Sequence, residues 1–155
     1  MNLYPSLTDR LKTQHESIPM LIVNADLERH PAPGKWSIKD NIAHLARYQP
    51  IFINRVHEIL KHDGISFERY NADLDPEFPA WQTREVNDLL KQIAIDRQTI
   101  ITLINSLTTE QLGRTGIHPK FGKLTMVEWP EFFLLHEAHH LFAIFQLAKA
   151  AAGNL

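Results

Sequence analysis

Glu131-Phe132-Phe133-Leu134-Leu135-His136-Glu137-Ala138-His139-His140-Leu141-Phe142-Ala143-Ile144-Phe145-Gln146 decides the reading of this chain. The run is mostly apolar and holds neither glycine nor proline, so its pattern predicts a buried helix. Three histidines and a glutamate interrupt it at positions 136–140. On a helix, His136 and His140 are i, i+4 neighbours and project from one face, one turn apart. Two imidazoles at that spacing can grip one divalent metal ion. His139, three residues from His136, competes with His140 for that place. The four-residue step aligns better along a buried stripe and favours His140. Glu137 lies about 100° around the helix from His136. Three roles stay open for it: a solvated or interface charge, a catalytic general base, or a group holding an imidazole from behind.

His136-Glu137-Ala138-His139-His140 also matches H-E-x-x-H, the helix of zinc metalloproteases, in which the glutamate is the general base. Such enzymes need a third protein ligand, often downstream. Residues 141–155 contain no His, Asp, Glu or Cys, so a third ligand has to come from upstream, which weakens the protease reading. His44 is the best upstream candidate. It lies on a different predicted helix, near the apolar face, at a height fixed by a well-formed cap. Three neutral imidazoles facing one another need a partner, and a metal ion supplies it.

Working outward, Thr125-Met126-Val127-Glu128 is a capping-box pattern that opens the last helix, predicted over 125–151. Pro130 falls in its first turn, where a missing N–H costs least. No structure is expected after Ala152. Gly113–Lys123 reads as a connector. A helix over 83–107 carries the stripe Val86, Leu89, Leu90, Ile93, Ile100, Leu103, Ile104 and Leu107. Before it, Asp63–Gln82 is loop-like and long enough to be a lid or a packed crossover. Ser37 is a good N-cap, and Asp40 suits the positive end of a helix over 37–62. His44, Tyr48 and Phe52 follow at four-residue steps, and Pro50 predicts a bend. The first helix is expected over 6–25, kinked or broken by Pro19. His15 beside its apolar face reads as a half-buried histidine with a hydrogen bond. Trp36, Trp81 and Trp129 read as packing anchors, Trp36 also as a staple before the cap. Tyr48 reads as core, within reach of a ligand. His30, His57, His62 and His118 read as surface residues. No strand pattern or internal repeat is visible. The sum is an all-α four-helix bundle, with any site built from inward side chains.

The bulk numbers set the frame. The 155 residues suit one domain, 1–155. The net charge of −2 gives no basic footprint for nucleic acid, and no apolar run is long enough to span a membrane. There is no signal pattern at the N-terminus, so a cytoplasmic location is the default. Cysteine is absent, which excludes disulfides and any thiol nucleophile or ligand from this chain, while the nine histidines direct attention to metal or proton chemistry.

Two segments carry a family resemblance. Trp36-Ser37-Ile38-Lys39-Asp40-Asn41-Ile42-Ala43-His44-Leu45 resembles the W-S-x-x-x-x-x-x-H-L segment of the DinB-like (DinB/YfiT) superfamily. His136-Glu137-Ala138-His139-His140, within a C-terminal apolar helix, resembles its second signature, H-x-x-H-H. The resemblance spans nearly the whole chain. It implies a DinB-like bundle with up-down-down-up connectivity and a long crossover between helices 2 and 3. It further implies metal ligation by His44, His136 and His140, with zinc, nickel or a similar divalent ion. Members are described as metal-dependent hydrolases, many as homodimers, and some relatives are transferases or isomerases that use a low-molecular-weight thiol. A three-histidine site adds no charge and leaves an open position for an anion. Hydroxide there would make a hydrolase, and a thiolate would make a thiol transferase with the thiol as cosubstrate. A non-enzymatic metal-binding or dimerising bundle is the alternative from another class. The substrate, a small molecule, is not readable from the residues.

Overall fold

The computed structural model describes residues 2–151, and the expectation for the segment after Ala152 lies outside them. Helices dominate. The predicted first helix is split into α1 (Pro5–Thr13), a 3-10 turn (Gln14–Ser17) and α2 (Ile18–Leu21). The break falls ahead of Pro19, which sits in the first turn of α2 where its missing N–H has no helical acceptor. Leu7, Leu11 and Ile18 carry the buried face.

The second long element, α3 (Ile38–Lys61), begins as read. The Ser37 hydroxyl accepts from the Asp40 N–H at 3.1 Å, and the Asp40 carboxylate accepts from the Ser37 N–H at 2.9 Å. The helix continues through Pro50. Four further helices follow: α4 (Phe78–Gln82), α5 (Val86–Asn105), α6 (Thr109–Leu112) and α7 (Glu128–Ala151). The capping box expected before α7 is present, with Thr125 and Glu128 bonding reciprocally.

α1 and α3 each pack against α5 and α7. One core cluster gathers Leu7, Phe52, Ile59, Trp129 and Phe133, and a second gathers Ile38, Ile42, Leu89, Ile93 and Ile144. Full burial of such a side chain stabilises by about 1.5–3 kcal/mol. Among the described residues no helix is long and apolar enough to cross a membrane.

The expectation of no strands is corrected. β1 (Ile65–Ser66) pairs parallel to β2 (Thr115–His118), which pairs antiparallel to β3 (Gly122–Thr125). The strands are too short to show alternation, and the inward positions of β2 are Gly116 and His118, neither an apolar side chain. Gly116 is required by contact: a Cβ there would lie 2.8 Å from Ile59 Cδ1 and 2.9 Å from Trp129 Nε1. The Asp63 carboxylate ties the sheet to the end of α3 by accepting from the Thr115 N–H at 2.7 Å and its hydroxyl at 2.9 Å. The loop-like stretch between α3 and α5 therefore contains β1, a 3-10 turn at Ala72–Leu74 and α4.

Candidate metal centre

His44 stands two turns into α3, and His136 and His140 stand one turn apart on α7. The packing of α3 on α7 brings all three together, with a nitrogen of each within 4.8 Å of the others. His44 Nε2 and His136 Nε2 are 3.1 Å apart. Two donors about 2.0–2.1 Å from one tetrahedral zinc ion would be separated by roughly 3.3 Å, so this spacing suits a shared ion. Two neutral imidazoles facing through Nε2 can share one hydrogen at most. His44 Nδ1 and His136 Nδ1 are both buried with no hydrogen-bond partner among the described residues.

The third ring has its tautomer set by its neighbours. Asn41 Nδ2 donates to the Ser37 carbonyl at 2.9 Å, which turns Asn41 Oδ1 toward His140 Nδ1 at 2.9 Å. The hydrogen is then on Nδ1, and the Nε2 lone pair is free for a metal ion. Burial and neighbouring imidazoles hold the rings neutral: His44 is pushed down to about 2, His136 to about 3 and His140 to about 4. Neutral imidazole is the form that ligates. The donor set, its spacing and its protonation fit a divalent ion.

The three rings line a cavity of about 990 Å³. Trp36 lies 5.1 Å from His44 and 6.0 Å from His140 between centroids, Tyr70 stacks on His44 at 5.8 Å, and Tyr48 lies 4.6 Å from His136. Trp36 is therefore a wall of the site, beyond the packing role read for it.

His139 is exposed, and it is His140 whose ring joins the other two. Glu137 is taken out of the cavity. Its carboxylate is 1% exposed and pairs with Arg97 of α5, while Gln14 Nε2 donates to it at 3.0 Å. Neither a solvated charge nor a base facing the imidazoles describes it, and the zinc-protease pattern, which needs that base in the pocket, loses its support. The 100° offset from His136 turns it into the bundle interior. His15 behaves as read, accepting from Arg97 at 3.1 Å and held down to about 4 by burial and that guanidinium.

Sequence reasoning missed His118 and two arginines. His118, read as surface, is 8% exposed and lines the cavity. Its Nδ1 accepts the N–H groups of Lys120 at 3.0 Å and Phe121 at 3.2 Å, which leaves Nε2 as the N–H donor. Arg55 and Arg97 are buried at 6% and 0% exposure. A signal existed for both. Arg55 falls in the stripe Tyr48, Phe52, Ile59, and Arg97 in the stripe Ile93, Ile100, Ile104, each at helical spacing.

Residues 21–144 match the model of the DinB superfamily, a span containing His44, His136 and His140. The uncharacterized protein YuaE of Bacillus subtilis (strain 168) is 25% identical over 127 residues, covering 74% of this chain and 78% of YuaE. Among solved structures, YfiT from Bacillus subtilis aligns with a TM-score of 0.73 at 18% identity, over 96% of this chain and 90% of YfiT. YfiT is described as a probable metal-dependent hydrolase with an unusual four-helix bundle topology. YjoA, a DinB-like protein of Bacillus subtilis, aligns with a TM-score of 0.60 at 16% identity, over 94% and 92% of the two chains. The family match spans most of the sequence, and on that ground this chain belongs to the DinB superfamily.

Proposed function

We propose that this chain is a metal-dependent hydrolase of small molecules. The observation that carries the reading is the meeting of three neutral imidazoles from α3 and α7 in the lining of an aromatic-walled cavity. His44, His136 and His140 would hold the ion, zinc or nickel being the best matches to an all-nitrogen donor set. A divalent ion held there supplies Lewis-acid polarisation of a substrate oxygen and an open coordination position. Asn41 fixes the His140 ring, and Trp36, Tyr48 and Tyr70 narrow the approach to it. The Tyr48 hydroxyl accepts from Arg55 Nη1 at 3.1 Å, which leaves its own hydrogen for a ligand. Glu137 has no part in the chemistry in this reading; it holds α7 against α5.

A second reading, transfer to a low-molecular-weight thiol, uses the same site. Because the chain has no cysteine, any thiol in that reading would enter as cosubstrate. We take residues 1–155 as one DinB-like domain in which the 63–82 segment serves as the crossover. We also take the protein to be a homodimer, with the exposed Leu135, Phe142 and Phe145 of α7 as the natural face for a second copy. The deciding experiment is metal analysis of protein purified without a histidine tag, followed by substrate screening with and without small thiols. Turnover that needs metal, His44 and His136 but no added thiol supports the hydrolase. Turnover only with a thiol supports the transferase. A metal that changes stability or dimerisation and never turnover supports a non-enzymatic bundle. A monomeric mass by light scattering removes the dimer.

A further inference from the structure

Resting on the reading of this cavity as a substrate site, we infer that the substrate is an organic acid whose carboxylate docks on Arg55. Arg55 is the observation that asks for an explanation. It is 6% exposed and lines the cavity, yet no carboxylate among the described residues lies within salt-bridge distance of it. Its polar contacts are the Tyr48 hydroxyl at 3.1 Å and the Glu68 main-chain carbonyl at 3.1 Å, both neutral. Arg10, Arg47 and Arg97 are each paired with an acid. A guanidinium removed from water without a counter-charge is unfavourable, and a planar fork of N–H donors matches a carboxylate.

The surroundings agree. Phe67, Trp129 and Tyr48 place ring centroids 5.4, 5.7 and 5.9 Å from Arg55 Cζ, so the cation is caged by apolar faces and keeps its donors for an anion. His118, whose Nδ1 is occupied by two N–H groups of its own turn, offers Nε2–H from the same cavity wall. Arg69 and Lys120 stand exposed on the lining, and among the described residues there Asp73 is the acid: three cations with Arg55 against one carboxylate. The His118 imidazole is held below its ordinary value by burial and then by Arg55, Lys120 and Arg69, which reflects the same positive field. One buried guanidinium among aromatic rings suits a monoanion with an apolar body better than a phosphate dianion. Tyr48 touches both groups, its hydroxyl on Arg55 and its ring beside His136, so an acid held at Arg55 would lie near the imidazoles.

The test uses phenylacetate, its neutral amide phenylacetamide and inorganic phosphate, titrated calorimetrically into metal-free and zinc-loaded protein. Phenylacetate should bind at least tenfold more tightly than the amide in both forms, and phosphate should bind more weakly than phenylacetate. Arg55→Gln should abolish the preference for the acid, so that acid and amide bind alike, and Arg55→Lys should restore part of it. Equal binding of acid and amide overturns the inference, as does a preference that persists in Arg55→Gln or appears only with zinc bound. Tighter Arg55-dependent binding of phosphate overturns the choice of a carboxylate. Should Arg55→Gln fail to fold, the acid-to-amide comparison in the unaltered metal-free protein and the Arg55→Lys variant still decide. Zinc uptake by the unaltered protein reports separately on the metal reading: an acid preference without zinc binding sinks that reading and leaves this one standing.

Discussion

Arg97 and Arg55 are both buried guanidinium groups, and the protein treats them in opposite ways. Arg97 is closed off. Glu137 neutralises it, and Gln49, His15 and the Leu11 carbonyl take further N–H groups. Arg55 is left open, held by a hydroxyl and a main-chain carbonyl and facing a cavity. The lesson is that burial alone does not mark a functional charge. A charge with its partner inside the core joins helices, whereas one without a partner beside a cavity is available to something else.

Acid should produce the largest effect and should separate the two regions. The open side holds His44, His136 and His140, lowered from the ordinary value of 6.5 to about 2, 3 and 4. The closed side holds His15, lowered to about 4. Between those values and 6.5 the unfolded chain binds more protons than the folded one, so stability falls as pH falls. Each imidazole of the triad contributes up to about 1.4 kcal/mol per pH unit, and the half-exposed His15 contributes less because solvent screens it. Denaturant titrations of metal-free protein from pH 7 to 5 should show this decline, and saturating zinc should raise stability across the range while leaving the slope unchanged. A stability independent of pH across that range would mean the rings are not held neutral.

Glu137→Ala is expected to come next, because it strands the Arg97 charge. Removing one partner of a buried pair costs about 3–5 kcal/mol, a large part of the stability of a domain this size. The midpoint of urea unfolding should fall accordingly, while zinc affinity in the surviving folded protein stays near that of the unaltered chain. If Glu137→Gln instead gave a large loss of turnover with stability and metal intact, the general-base role read from the sequence would return.

Asn41→Ala touches only the open region. It removes the acceptor that fixes His140, so zinc affinity should drop about 10- to 100-fold, measured by competition with a chromogenic chelator. A similar loss from Glu137→Ala would break the comparison by making both regions part of one metal site.

How far the sequence carried this comparison depends on range. The helical stripes of α3, α5 and α7 and the Ser37–Asp40 cap were legible because they repeat over many residues or close within one turn. His44, His136 and His140 were legible as a set because two lie one turn apart and the third follows a cap that fixes its height. The break between α1 and α2 was signalled by Pro19 but misplaced, since the 3-10 turn precedes it. The sheet was not legible: β1 has two residues, and β2 turns a glycine and a histidine inward. The partner of Glu137 was not legible either, because Arg97 lies forty positions away on another helix. An arginine inside an apolar stripe says that a charge will be buried, not what it will meet.

The smallest expected effect is also the sharpest test of the contrast. Replacing Arg55 with methionine removes a cation that has no acidic partner to strand among the described residues. What is lost is two hydrogen bonds from a charged donor, each worth about 1.5–3 kcal/mol net. What is gained is relief from burying an uncompensated charge, and methionine fills the space among Phe67, Trp129 and Tyr48 with an adaptable apolar chain. The two terms oppose each other, so metal-free stability should change by less than about 2 kcal/mol in either direction, against about 3–5 kcal/mol expected for Glu137→Ala. Parallel urea titrations at pH 7.5 compare the two variants directly. A loss from Arg55→Met as large as that from Glu137→Ala would show that Arg55 is a structural link after all. Near-neutral stability would instead mark it as a charge that the fold tolerates rather than needs.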